Sequence, residues 1–177
     1  VGTTGWYQHL PQVEELVQNS GIGLVYAPNF SLGVNLFYHI VTRAAGLFQP
    51  FNEYDISLSE THHRQKLDSP SGTAKRLIEI IREKFPRKKK VVTDSLNRAI
   101  GDDELHVTSL RTGHVPGIHS VLFDSPADTI ELTHTVRSRA GFATGAVLAA
   151  EWIRGRKGLF TFEQALKDLL SRQGAED

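Results

Sequence analysis

Fifteen consecutive residues hold the most chemistry in this chain: Glu60-Thr61-His62-His63-Arg64-Gln65-Lys66-Leu67-Asp68-Ser69-Pro70-Ser71-Gly72-Thr73-Ala74. Two adjacent imidazoles stand beside two cations and a Ser-Gly-Thr opening onto an amphipathic run. Imidazole gains and loses a proton near neutral pH. A helix N-terminus presents unpaired N–H groups and the positive end of the helix dipole. Together these groups can grip a small carboxylate and protonate what carries it. The N–H groups of Gly72, Thr73 and Ala74, with the Ser71 and Thr73 hydroxyls, form the expected cradle. Adjacent residues of an extended segment point to opposite sides, so one of His62 and His63 faces a ligand as acid while the other anchors it. Lys66 neutralises negative charge or donates a proton. The bland readings are an ordinary N-cap at Ser71 or Thr73 and surface histidines on a polar loop. No H-E-x-x-H spacing or obvious third ligand occurs, so no metal centre is expected.

Elements on both sides must hold these groups. Tyr54, Ile56 and Leu58 alternate with Asp55, Ser57 and Ser59, the pattern of a half-buried strand. Beyond the cradle, helical spacing over 73–85 puts Ala74, Leu77, Ile78, Ile81 and Phe85 on one face, and Pro86 ends it. Arg87-Lys88-Lys89-Lys90 reads as a solvated loop. Strands are expected over 105–110, 118–123 and 129–136, the last with Ile130, Leu132, His134 and Val136 on one face. Upstream, 12–17 has helical spacing, 22–27 is a short apolar run like a buried parallel strand, and 34–47 is a long amphipathic helix. Downstream, 142–153 is an Ala-rich helix, and Thr161 with Gln164 forms a capping box for a last helix ending near 170. The other histidines, His9, His39, His106, His114, His119 and His134, show no interpretable spacing. His106 and His134 read as packing or cross-strand partners.

Composition narrows the function classes. The 177 residues carry 20 basic and 20 acidic side chains, 40% apolar residues and no Cys. A balanced charge argues against a general nucleic-acid binder. Absence of Cys excludes disulfides and thiolate chemistry and fits a reducing, cytoplasmic setting. No apolar run in the sequence is long enough for a membrane span. The opening Val1-Gly2-Thr3-Thr4-Gly5 reads as the end of a buried strand entering a turn, and with no Met in the chain it is expected to begin within a domain of a longer protein.

The fifteen-residue stretch, with the pattern E-x-H-H-x-x-K-x-D-x-P-S-G-T-A, resembles the signature of the 4-hydroxy-tetrahydrodipicolinate reductases, formerly dihydrodipicolinate reductases. Val1 to Gly5, Ala27-Pro28-Asn29-Phe30-Ser31-Leu32-Gly33-Val34-Asn35 and Ser138-Arg139-Ala140-Gly141-Phe142-Ala143-Thr144-Gly145-Ala146 fall in the order that family shows. The resemblance implies reduction of a cyclic dicarboxylate by NADH or NADPH in the diaminopimelate route to lysine. It makes His62 the general acid/base and Lys66 a proton donor, with His63, Ser71, Gly72 and Thr73 on the substrate carboxylate. Gly2, Thr3, Thr4, Ala27, Pro28, Asn29, Phe30 and Arg139 are the implied cofactor contacts. Pro28 departs from the small residue expected there and lacks an N–H to donate. The family's G-x-x-G-x-x-G loop and the residue choosing NAD or NADP do not occur in these residues, so this chain by itself is expected to be inactive.

The implied fold is α/β plus α+β: the C-terminal remnant of a Rossmann-type dinucleotide-binding domain (1–32), an α+β substrate-binding and tetramerisation domain on a mixed, mostly sequential sheet (33–147), and C-terminal helices (148–177) returning to the cofactor domain. A homotetramer acting on a small dicarboxylate is implied, with no nucleic-acid or membrane partner. The alternative from another class is a non-catalytic binding or assembly module that kept the fold.

Overall fold

The computed structural model describes residues 1–173. The chain runs through α1 (Leu10–Ser20), β1 (Gly23–Tyr26), α2 (Leu32–Phe48), β2 (Asp55–His62), α3 (Gly72–Lys84), β3 (Lys90–Val92), β4 (Glu104–Arg111), β5 (Ile118–Asp124), β6 (Thr129–Thr135), α4 (Ala140–Trp152), β7 (Gly158–Thr161) and α5 (Phe162–Gln173). Two compact units result. One joins Val1–Asn35 to the described residues from Arg139 onward, and the other is Leu36–Ser138.

The second unit is built on a five-stranded sheet in the order β3-β4-β2-β5-β6. β3, β4 and β2 run parallel, while β2, β5 and β6 are antiparallel, so the expected mixed sheet forms. It is less sequential than expected, because β2 sits between β4 and β5. Parallel strands need a crossover, and α3 supplies it by carrying the chain from β2 toward β3 and β4. The apolar stripe of α3, Ala74, Leu77, Ile81 and Phe85, closes on Ile56, Leu58, Leu105, Val107, Val121 and Phe123. Fully burying one such Leu or Ile contributes about 1.5–3 kcal/mol. Ile130 falls short of the expected inward face and is 41% exposed, on the edge strand β6.

The charge run after α3 is not a solvated loop. Lys88 is 2% exposed; its ammonium reaches Asp55 Oδ1 at 2.5 Å and donates to the Glu104 carbonyl at 2.9 Å. Arg87 donates to the carbonyls of Gln49, Phe51 and Tyr54 and lies 3.9 Å from the Phe85 ring centre. Lys90 begins β3. Long cationic side chains bury their stems and deliver the charge to a distant partner, which composition alone does not show.

In the first unit β1 and β7 pair in parallel from Gly23↔Gly158 to Tyr26↔Thr161. Residues 1–5 are exposed and form no strand, contrary to the buried strand end expected. Their start still follows β1: the Val1 amino group donates to the Val25 carbonyl at 2.6 Å, and Ala27 N donates to the Val1 carbonyl at 3.1 Å. The capping box forms, with Thr161 N on Gln164 Oε1 at 2.7 Å and Gln164 N on Thr161 Oγ1 at 3.1 Å. α4 lies whole in this unit, where a boundary between 147 and 148 would cut it. The reason is close packing on the β1–α2 loop: a Cβ at Gly145 would lie 1.7 Å from the Phe30 carbonyl oxygen. Backbone cannot yield to that overlap, so Gly145→Ala is expected to cost about 3 kcal/mol. Urea unfolding checks this, and an unshifted midpoint would refute the packing account. No helix among the described residues is long and apolar enough to cross a membrane.

Candidate active site

Strand register assembles the site. The alternation of β2 turns Ile56, Leu58, Glu60 and His62 to the interior. Glu60 then pairs with Ser109 on β4 and with His119 on β5, while His62 pairs with Arg111. Glu60, His62 and His119 are 2%, 6% and 2% exposed. Glu60 Oε1 accepts from Ser109 Oγ at 2.8 Å, Arg111 Nη2 at 2.9 Å and Ser71 N at 3.1 Å. Its Oε2 accepts from Ser71 N at 3.2 Å and lies 3.4 Å from His62 Nδ1 and 3.5 Å from His119 Nε2. Burial opposes ionisation of Glu60, but His119, Ser71, Arg111 and Ser109 together outweigh it and hold the carboxyl far below the usual range.

The two buried imidazoles meet edge to face, with ring centres 5.0 Å apart. Burial pulls His62 down to about 4; Glu60 resists, while His119, Lys66 and Arg111 lower it further. His62 is therefore neutral at pH 7 in the free protein, and an anion docking beside it raises its proton affinity. Its Nε2 faces Gly117, where a Cβ would stand 3.1 Å away.

The helix start lies directly beyond. Ser71 caps α3 with an extended backbone; its Oγ accepts from Ala74 N at 3.2 Å and sits 3.1 Å from His119 Nε2. In a Ser-His-acid nucleophile the acid holds the far ring nitrogen. Here serine and acid share Nε2, and His119 Nδ1 has no hydrogen-bond partner among the described residues, so the trio is not that device. A carboxylate already rests in the turn before α3. Asp68 takes the Lys66 ammonium at 2.7 Å, and that bond leads the effects that lower its carboxyl from the ordinary value. Arg111 ties down the same turn through the Asp68 carbonyl at 2.7 Å. A Cβ at Gly72 would meet nothing within 4 Å, so the first residue of α3 is open in the side-chain direction. Thr73 is half-buried, as is His63, whose Nδ1 is unpartnered among the described residues. His62, His63, Lys66, Ser71, Gly72 and Thr73 thus gather between the end of β2 and the start of α3.

Ligand atoms of Glu60, His62 and His119 lie within 4.8 Å of one another, a spacing a cation could bridge. The donor set does not fit one. Both Glu60 oxygens are taken by hydrogen bonds, and the Arg111 guanidinium stands against the same carboxylate.

Residues 33–166 match the family described as dihydrodipicolinate reductase, C-terminus. The chain belongs to the dihydrodipicolinate reductase family. Its relatives are named enzymes. The 4-hydroxy-tetrahydrodipicolinate reductase of Christiangramia forsetii is 42% identical, over 95% of this chain and 69% of its own length. That of Aquifex aeolicus is 41% identical over 94% of this chain and 62% of its own. A solved structure, dipicolinate-bound dihydrodipicolinate reductase from Paenisporosarcina sp. TG-14, aligns with a TM-score of 0.73 at 28% identity. That alignment covers 92% of this chain and 62% of that one, so the chain spans about two thirds of the family members it matches.

The family's expected cofactor contacts, other than Arg139, line two neighbouring loops of the first unit. Ala27 to Phe30 follow the carboxyl end of β1 and lead into α2. Ala27 and Phe30 are buried, Asn29 is half-buried and Pro28 is exposed. Asn29 Oδ1 is already used, accepting from Ser31 N at 2.8 Å. Gly2, Thr3 and Thr4 are exposed, and a Cβ at Gly2 would touch the Phe30 ring at 3.5 Å. Arg139 is exposed at the start of α4.

Sequence reasoning passed over Glu60, Ser109, Arg111 and His119. One signal was available: Glu60 continues the inward parity of Ile56 and Leu58, and a carboxylate on a core-facing strand position needs partners.

Proposed function

We propose that the native protein carrying this chain is a 4-hydroxy-tetrahydrodipicolinate reductase, reducing its cyclic dicarboxylate substrate with NADH or NADPH in lysine biosynthesis. The observation that carries this is Asp68. Its carboxylate rests on the Lys66 ammonium in the turn between buried His62 and the start of α3, which supports a reading in which that turn takes a carboxylate beside a proton carrier. A substrate carboxylate takes over the Lys66 ammonium and adds the Gly72 amide, Ser71, Thr73 and His63. Binding a dianion there raises the proton affinity of His62, which then protonates the reduced substrate; Lys66, once released from Asp68, is the second donor.

The residues of the first unit suit a pyridine dinucleotide. A loop at the carboxyl end of a parallel strand, opening onto a helix, is where doubly wound sheets take nucleotides. Gly2, Thr3, Thr4, Ala27, Asn29 and Phe30 would hold it through backbone and hydroxyl groups, Pro28 by contact and Arg139 by charge. The bound cofactor supplies the hydride.

The test is NADH- or NADPH-dependent turnover by the native protein, with dipicolinate as competitor. Absence of turnover with both cofactors refutes the proposal. Gly117→Ala offers a steric check. Its methyl crowds His62 Nε2 at 3.1 Å, and kcat is expected to fall roughly tenfold with folding retained. We also propose a homotetramer assembled through the five-stranded sheet, in the cytoplasm. Leu110 and Ile130, 59% and 41% exposed, support it by leaving apolar surface on that sheet. Light scattering that reads a monomer at micromolar concentration contradicts the assembly.

A further inference from the structure

Glu60 touches neither the helix-start amides left open for a ligand nor the Nε2 edge of His62, yet both imidazoles converge on it. Its Oε1 is filled by Ser109, Arg111 and Ser71 N. Its Oε2 lies 3.4 Å from His62 Nδ1, which has no hydrogen-bond partner among the described residues, and 3.5 Å from His119 Nε2. An ionised carboxylate repels a ring-nitrogen lone pair and attracts a ring N–H. The carboxylate charge therefore favours the hydrogen on whichever ring nitrogen stands nearer Oε2. In His62 that nitrogen is Nδ1; in His119 it is Nε2.

We propose that Glu60 is the positioning residue of this site, fixing opposite tautomers in two histidines: Nδ1–H in His62 and Nε2–H in His119. Burial supports the assignment independently at His119. Were its hydrogen on Nδ1, a buried donor would have no partner among the described residues, whereas Nε2–H finds Ser71 Oγ at 3.1 Å; at His62, whose Nδ1 is likewise unpartnered, the carboxylate charge alone carries the assignment. The His119 hydrogen then steadies the serine that caps α3. In His62 the same carboxylate leaves Nε2 as the nitrogen that takes and gives the proton, on the side where Gly117 keeps room. One anion thus aims the acid and holds the start of the carboxylate cradle. This inference rests on the acid role proposed for His62.

Charges around His62 come from every element packed on it: Glu60 on β2, Arg111 on β4, His119 on β5 and Lys66 in the following turn. Only Glu60 favours the protonated ring, so its neutralisation shifts the acid one way. Two measurements test the proposal. Long-range nitrogen–proton spectra of histidine-labelled chain at pH 7.5 are expected to show Nδ1–H for His62 and Nε2–H for His119. The same tautomer in both, or averaged signals in both, overturns it. In the native protein, Glu60→Gln is expected to move the limb where kcat falls with rising pH to lower pH, with at least a tenfold loss at pH 7.5. A folded variant with an unmoved limb overturns the proposal, because a merely structural role lowers the active amount without moving it. If Glu60→Gln does not fold, the wild-type spectra decide alone. Wild-type protein without turnover sinks the reductase reading, while the tautomers are still read directly.

Discussion

His62→Gln is expected to lower kcat by about a hundredfold to ten-thousandfold, the usual worth of a positioned acid. Folding and dipicolinate binding should survive. Glutamine is close to histidine in size, and its amide can still donate toward Glu60, which lies 3.4 Å from His62 Nδ1 in the parent. What it cannot do is carry a proton to substrate. The pH dependence gives a second readout. kcat/KM reports the free protein, in which burial lowers His62 to about 4. kcat reports the complex, in which the docked dianion raises it. The limb of kcat where activity falls with rising pH should therefore lie at higher pH than that of kcat/KM. Steady-state rates across pH, with thermal melting as the folding control, check both points. Unchanged turnover in the variant removes His62 from the mechanism and leaves Lys66 as the acid.

The parts of this site that local pattern encodes were readable without a structure. Alternation at Ile56 and Leu58 marks β2, and the stripe Ala74, Leu77, Ile81 marks α3. Pro70 and Ser71 mark the junction where α3 begins, and Ser71 is its cap. The histidines between them had to lie near a helix start. What periodicity cannot encode is which strand lies beside which. Ser71 and His119 are 48 residues apart in sequence, and Glu60 and Arg111 are 51 apart. Their contacts come from register, and a one-residue slip would turn Ser109 and His119 to the other face. Lys88 failed for a related reason. Its charge sits in a cationic run, but its partner, Asp55, opens a strand 33 residues earlier than that run's Lys88, a pairing that only the folded sheet makes. The same physics explains why the carboxylate cradle was foreseen and its support was not: caps are local, and hubs are not.

Arg111→Met tests that hub. The methionine keeps much of the apolar stem but removes the cation from a carboxylate whose side chain is 0% exposed. Breaking a buried pair on one side leaves an uncompensated charge, so stability at pH 7 should drop by about 3 kcal/mol. The bond to the Asp68 carbonyl goes too, which loosens the turn carrying Lys66. The sign of the pH dependence separates this from simple loss of packing. In the parent, Glu60 is depressed on folding, so its contribution is present above the ordinary carboxylate range and is lost as pH falls through the folded value. His62 adds in the same direction, because the unfolded state takes its proton between about 6.5 and about 4 while the folded state resists. Parent stability should therefore decline steadily from pH 6.5 downward. In the variant the Glu60 carboxyl has lost a principal cationic partner and protonates at higher pH, so its share of that decline shrinks. Urea unfolding at pH 7, 5 and 4 should show the gap between parent and variant narrowing with acid. A gap that stays constant would mean that Arg111 contributes packing and that Glu60 holds its charge by the hydrogen bonds of Ser71, Ser109 and His119 alone.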